Sequence, residues 1–172
     1  AEDVDAARAR AREAAARASA LRSRGLTVSP DGTTVVPVAR YRVTSRYGYR
    51  TVPWPGLHAG VDWAAPVGTP VLAAQDGVVV AARGADSGAM DPDYWVSGYV
   101  VAIDHGGGVH TSYNHLVDST TVSLGQEVRA GDVIGHVGLS GHTTGPHLHF
   151  QVLTGGERVD PDPWMAARGA GI

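Results

Sequence analysis

Two stretches decide the architecture: Gly68-Thr-Pro-Val71-Leu-Ala73 and Gly125-Gln-Glu-Val128-Arg-Ala130. Each leads through Asp and Gly into a short apolar strand, Gly77-Val-Val-Val80 in the first case and Gly131-Asp-Val-Ile134 in the second. A Gly-x-x-Val-x-Ala run followed by a tight turn is the hairpin signal of a small β-barrel-sandwich fold. The same rhythm extends on both sides. Runs rich in β-branched residues recur at Thr69–Leu72, Gly77–Ala82, Tyr99–Asp104, Val109–Asn114, Val133–Val137 and His147–Leu153, separated by Gly, Pro and Asp. This spacing predicts a mainly β chain, an antiparallel β-sandwich over residues 39–165. Residues 84–98 interrupt the rhythm with a long loop, and long loops in compact domains are commonly functional.

Upstream the pattern changes. Ten of the first 20 residues are Ala, interleaved with Arg and Glu, which predicts a helix over residues 1–24 ending at Gly25. Val4, Ala7, Ala11, Ala14, Ala18 and Leu21 are spaced as the seam of a coiled coil. Two readings stay open: an accidental stripe, or the end of a longer coiled coil with a partner bound through residues 2–24. Residues 25–38 read as a linker with a small hairpin at Pro30-Asp31-Gly32, and 166–172 as a tail.

Composition excludes several functions. The chain has 172 residues, 43% hydrophobic and 18% charged, enough to build a core rather than remain disordered. No cysteine is present, so disulfide scaffolds, thiolate metal sites and cysteine nucleophiles are ruled out. All 14 basic residues are Arg, so a lipoyl or biotinyl carrier, which needs a modifiable lysine, is ruled out despite the hairpin repeat. There is no Gly-x-Ser-x-Gly elbow of a serine hydrolase. Net charge is −3, and residues 39–165 hold 7 Arg against 12 acids, so there is no basic face for nucleic acid. No apolar run is long enough for a membrane-spanning helix. The sequence starts at Ala1 with no Met and no apolar signal core, as expected of a processed chain or a piece of a longer one.

Histidine is the informative residue. All eight lie between His58 and His149. Three pieces carry the chemistry: His58-Ala-Gly-Val-Asp62, Tyr113-Asn-His115-Leu116 and His147-Leu-His149-Phe150. On a strand, residues two apart share a face, so His147 and His149 point one way while Leu148 and Phe150 point into a core. Buried imidazoles need partners, and a metal or a reacting substrate supplies them. Two imidazoles and a carboxylate plus one water form a catalytic zinc arrangement, whereas a structural zinc takes a fourth protein ligand.

These pieces, in this order, resemble the lysostaphin/LytM-type zinc endopeptidases of peptidoglycan. That family shows His-x-x-x-Asp, then Tyr-x-His-Leu, then His-x-His. The likeness covers about residues 41–164 and includes Ser45-Arg-Tyr-Gly48-Tyr-Arg50, Gly145-Pro-His-Leu-His-Phe150 and Val159-Asp160-Pro161. The resemblance implies that His58, Asp62 and His149 bind Zn2+, and that His115 and His147 flank the reacting water without ligating. It implies a peptidoglycan peptide as substrate and an extracellular or cell-envelope location. His115 is then the candidate general base, with His147 stabilising the oxyanion or protonating the leaving amine, although the two roles are exchangeable on sequence grounds. The alternative is an envelope regulator or binding module that keeps the fold without catalysis. Gln151 stands where that family often has Glu, and Ser140 where it often has Thr; neither is expected to be a site position.

Four aromatic residues are candidates to contact substrate; the alternatives are that Tyr113 orients a site histidine or fills its strand face, and that Trp95 anchors its loop to the core. Tyr113 shares strand parity with His115. Tyr94 and Trp95 sit in the 84–98 loop, and Trp54 lies just before His58. The remaining histidines receive ordinary roles: His110 faces solvent, His105 is a structural hydrogen-bonding residue, and His136 and His142 have no partner motif. Asp86, Asp91 and Asp93 read as a solvated acidic loop.

Overall fold

A computed structural model of the chain describes residues 2–84, 94, 96–117 and 121–172. The elements are α1 (Glu2–Ser23), β1 (Arg42–Ser45), β2 (Gly48–Arg50), β3 (Gly56–His58), β4 (Val61–Ala64), β5 (Pro70–Leu72), β6 (Gly77–Arg83), β7 (Tyr99–Asp104), β8 (Val109–Leu116), β9 (Glu127–Val128), β10 (Val133–His136), β11 (His147–Thr154), β12 (Glu157–Val159) and α2 (Pro161–Ala166). Seven of these strands form an antiparallel sheet in the order β1-β4-β11-β8-β7-β6-β9, and β12 pairs with β11 as the eighth. Two two-stranded sheets, β5–β10 and β2–β3, complete the described β structure. The expected antiparallel, mainly β architecture is thus observed, with the long helix confined to the N-terminus. No helix among the described residues is long and apolar enough to cross a membrane.

The core lies between the large sheet and the β5–β10 pair. Trp63 of β4, Phe150 of β11 and Tyr113 of β8 pack together, with Trp63 and Phe150 stacked at 5.2 Å between ring centroids. Val71 of β5 and Ile134 of β10 belong to the same fully buried cluster. Leu148, Phe150 and Val152 all face this core, so the period-2 alternation of β11 leaves His147, His149 and Gln151 on the opposite face.

The two repeats do not form separate hairpins. β5 of the first repeat pairs with β10 of the second, and β6 of the first pairs with β9 of the second. Ala73 and Gly131 seal the exchange, with Gly131 N donating to Ala73 O at 2.9 Å. The Asp76 carboxylate of the first repeat accepts from Ala130 N of the second at 2.8 Å. The repeats therefore interlock, which makes the core depend on both.

The segment expected as a linker carries its hairpin, bridged at Val28 and Val35 around a left-handed Gly32, and also buries Val35, Val36 and Val38. The C-terminal stretch folds too. Asp160 caps α2 by accepting from Asp162 N at 3.0 Å, Pro161 starts it, and Met165 and Ala170 are fully buried. On α1 the stripe is split. Ala18 and Leu21 are buried against Leu26, Val28, Val35, Leu72 and Ala130, whereas Val4, Ala7 and Ala11 are exposed.

Gly60 shows how tightly β4 and β11 approach. A side chain there would overlap the Phe150 carbonyl oxygen and meet His149 Nε2 at 3.0 Å. Gly60→Ala is expected to cost about 1–3 kcal/mol of stability, the usual range for overpacking. Urea denaturation with metal content measured in parallel checks this; a variant of unchanged stability and metal content would contradict the close approach.

Candidate metal centre

The β4–β11 register sets His149 directly opposite Asp62. Opposed residues of an antiparallel pair point to the same face, so the two side chains meet. His58, the last residue of β3, reaches the same point from a separate small sheet. His149 Nδ1 lies 2.7 Å from Asp62 Oδ1, and His58 Nε2 lies 3.0 Å from both. All three residues are buried, and they form a cluster able to hold a metal ion.

The outer atoms of the cluster test whether a metal fits. His58 Nδ1 lies 2.8 Å from Arg46 O, and a carbonyl only accepts, so the ring proton is on Nδ1 and the Nε2 lone pair faces the cluster. On His149 the outer nitrogen, Nε2, lies 2.9 Å from the Gln151 amide nitrogen, while Gln151 Oε1 is buried without a partner. A half-turn of that amide brings the oxygen to Nε2. The ring proton then sits on Nε2, and the Nδ1 lone pair also faces Asp62. Two lone pairs and a carboxylate oxygen converging in a buried place repel one another unless a cation lies among them. The donor set, two imidazoles and one carboxylate with no thiolate, suits a zinc ion that keeps an open position.

Burial would raise the Asp62 carboxyl, and without a cation in the cluster only hydrogen bonds and charge from protonated His149 and His58 overcome that effect and hold it well below the usual carboxylate range. Burial pushes the His149 imidazole down, against the pull of Asp62, so it favours the neutral form that ligates. Arg50 NH1 stands 3.5 Å from Asp62 Oδ2 and donates to Ser45 Oγ at 2.9 Å.

Two further imidazoles stand beside the triad. His115 and His147 have ring centroids 4.8 Å apart, and His147 Nε2 is 3.5 Å from Asp62 Oδ1. His115 reaches this face by an unusual route. Tyr113 pairs with Phe150 and Asn114 with His149, so strict alternation would send His115 into the core beside Tyr113. Instead His115 has a left-handed backbone, φ +62°, which turns its side chain to the metal face. Left-handed non-glycine residues are costly and collect at functional sites. Its Nδ1–H donates to Ser140 O at 2.9 Å, leaving Nε2 as an acceptor. Burial, followed by the proximity of His149 and His147, pushes its pKa down to about 3.

The cluster opens into a cavity of about 700 Å3 bordered by Trp54, Leu57, His115, His142 and His147 among others. The expectations for the aromatic residues divide here. Trp54 lines the cavity and packs against His142 with ring centroids 3.8 Å apart and the planes tilted by 45°. Tyr113 does not: the parity break at His115 leaves it fully buried in the core. There its hydroxyl accepts from Ala74 N at 2.7 Å and bonds Thr111 Oγ1 at 2.9 Å. Tyr94 is also packed away, in a buried cluster with Ala81, Val96 and Leu153. Trp95 and the acids Asp86, Asp91 and Asp93 lie outside the described residues.

Three residues given ordinary roles belong to the site. Gln151 touches His149, Ser140 holds His115 through its carbonyl, and His142 forms part of the wall. Gln151 carried a usable signal, since it stands at i+2 from His149 and shares its face. His105 is the structural hydrogen-bonding residue expected, between Asp76 O and Thr111 Oγ1, each at 2.7 Å.

Asp62→Ala and His149→Ala are expected to lose the metal. Gln151→Leu should weaken zinc affinity roughly 10–100-fold, the usual effect of removing a partner of a metal-ligating histidine, and Gln151→Glu should restore it. Titration against a competing chelator measures both; full affinity in Gln151→Leu would contradict the assigned contact.

Comparison with known proteins agrees with this geometry. The profile of Peptidase family M23 matches residues 56–161. The DD-carboxypeptidase/endopeptidase Mpg of Neisseria meningitidis serogroup B is 41% identical over 134 residues, covering 76% of this chain and 28% of that protein. Lysostaphin of Staphylococcus simulans is 32% identical over 133 residues, covering 72% of this chain and 25% of that protein. The chain thus spans little more than a quarter of the length of these relatives. Among solved structures, lysostaphin from Staphylococcus simulans superposes with a TM-score of 0.64 at 29% identity, over 77% of this chain and 53% of that one. A zinc-containing peptidase from Vibrio cholerae gives 0.61 at 34% identity, over 72% of this chain and 37% of that one. With the family profile matched across the strands that carry the metal cluster and its two flanking histidines, the chain belongs to peptidase family M23.

Proposed function

We propose that this chain is a zinc-dependent endopeptidase that hydrolyses peptide bonds of bacterial peptidoglycan, in the cell envelope or outside the cell. The observation that carries the reading is the pair His115 and His147, 4.8 Å apart between ring centroids, beside a buried triad of metal-ligand type. A non-catalytic relative would need only the fold; two imidazoles, each fixed through Nδ1 on a backbone carbonyl beside the triad and bordering the cavity, are what hydrolysis needs. The name of a further relative, the peptidoglycan DD-endopeptidase ShyA of Vibrio cholerae serotype O1, supports the substrate.

His58 Nε2, Asp62 Oδ1 and His149 Nδ1 would hold the zinc. When bound, zinc supplies a Lewis acid that polarises a peptide carbonyl and lowers the pKa of a water molecule to about 7. The chain's own residues move the protons. His115 is kept neutral by burial, and its Nδ1–H is fixed on Ser140 O, so Nε2 is a preorganised acceptor for the proton of the attacking water. His147 Nδ1 is likewise fixed on Gly145 O at 2.8 Å. Its Nε2 lies 3.5 Å from Asp62 Oδ1, beside the triad, where a proton received during the reaction can stabilise the developing oxyanion and then pass to the leaving amine. Water oxygen joins the carbonyl carbon, the C–N bond breaks, and the products are a carboxylate and an amine. Trp54 and His142 form a broad wall against which a flexible peptide can lie. A helical partner docking on α1 would meet the exposed Val4, Ala7 and Ala11 and the half-buried Ala14 of the stripe, because Ala18 and Leu21 are already buried.

His115→Ala and His147→Ala are each expected to retain zinc and lose at least ~10²-fold in rate, the scale of a positioned acid–base group. Digestion of purified cell walls, with zinc measured on the same samples, checks this. Wild-type rates in both variants would remove the proposed roles.

A further inference from the structure

The half-turn that brings Gln151 Oε1 to His149 Nε2 also swings the Gln151 NH2 into the place the oxygen held. That place is buried, with Gln151 only 1% exposed, so the turned NH2 needs an acceptor of its own. The β8–β11 pair supplies one. Among the described residues, three buried side-chain oxygens have no hydrogen-bond partner: Asn114 Oδ1, Gln151 Oε1 and Asp162 Oδ1. Asp162 belongs to α2 and is paired with Arg46. Asn114 and Gln151, by contrast, stand on the same face of neighbouring strands.

The register makes them diagonal neighbours. Asn114 lies opposite His149, and Gln151 lies opposite Ser112. Side chains on such a diagonal are within reach of one another when they are long. Asn114 is fully buried and leans along β8 toward the diagonal, because its Nδ2 donates to Ser112 Oγ at 3.1 Å as well as to His149 O at 3.0 Å. The His149 carbonyl only accepts, which fixes the Asn114 amide with its nitrogen on that carbonyl and its oxygen free.

We propose that Asn114 is a positioning residue of the metal centre: its Oδ1 accepts from the turned Gln151 Nε2 and so holds the Gln151 oxygen on His149 Nε2–H. One rotation then satisfies both orphaned amide oxygens. It also holds the His149 ring with its proton outward and its Nδ1 lone pair toward Asp62, the orientation a ligand needs. A carboxylate at position 151 would need no such help, since both of its oxygens accept. An amide has one productive orientation and one unproductive one, and Asn114 selects between them. The inference rests on the metal reading of the triad and does not depend on which bond the chain cuts.

The test measures zinc affinity, by competition with a chelator, in the wild type, Asn114→Ala, Gln151→Glu and the double variant. Asn114→Ala is expected to weaken zinc binding about 10-fold in the wild-type background, the lower end of the effect of losing support around a ligating histidine. In the Gln151→Glu background the same substitution should change affinity by less than about 2-fold, because the two positions are then uncoupled. Equal losses in both backgrounds would make Asn114 a general support of the strand pair and overturn the proposal, as would full affinity in Asn114→Ala. A second measurement needs no variant and decides the matter if Asn114→Ala does not fold. In zinc-loaded, isotope-labelled wild type, NMR scalar coupling across the hydrogen bond should connect Gln151 Nε2 to Asn114 Cγ. Its absence, while couplings across the β8–β11 ladder are seen, overturns the contact. If the wild type binds no zinc, the metal reading of the triad fails and the role of Asn114 with it.

Discussion

The pairing register between β4 and β11 governs the rest of the molecule. With His149 opposite Asp62 and Leu148 opposite Trp63, one set of side chains builds the metal cluster while the alternate set builds the core. A slip of one residue would bury His149 in place of Phe150 and turn Phe150 toward the cavity. The stacked Trp63 and Phe150 rings oppose that slip, since it would take Phe150 out of its packing against Trp63. Stability and chemistry are thus tied to one strand pair. Gly60, just before β4, permits the strands to come this close.

A second device sits on β8. Regular alternation puts Asn114 on the metal face and His115 on the core face, and the left-handed backbone at His115 reverses this. The cost of that conformation is offset by local anchoring. Ser140 accepts from His115 Nδ1 through its carbonyl and donates through its hydroxyl to Leu116 O at 2.6 Å. The imidazole is therefore fixed in one tautomer and held neutral by burial, both properties of a proton acceptor that need not reorganise during reaction.

The β architecture was legible in the sequence because alternation is a local rule, whereas the proposed ligand set came from the resemblance of three motifs, in order, to a known family. Alternation marks β11, and Leu148 and Phe150 do face the core while His147 and His149 do not. The interlocking of β5 with β10 and β6 with β9 was not legible, because either pairing buries the same apolar residues and only long-range contact decides between them. Tyr113 was misplaced because parity fails at a left-handed residue that no sequence rule flags in Tyr-Asn-His-Leu. Helix α2 was readable in principle from Asp160-Pro161, a cap residue followed by proline. Ser140 acts through its backbone carbonyl, and His142 through its position in a loop, so neither announces itself by residue type.

The most direct test of the whole account is mass spectrometry of muropeptides after digestion by the purified protein, with and without zinc. Zinc-loaded protein should release fragments that differ from their parents by one water across a peptide bond, and a chelator should abolish them. No new fragments, or cleavage that persists unchanged after the metal is stripped from the protein, would contradict it.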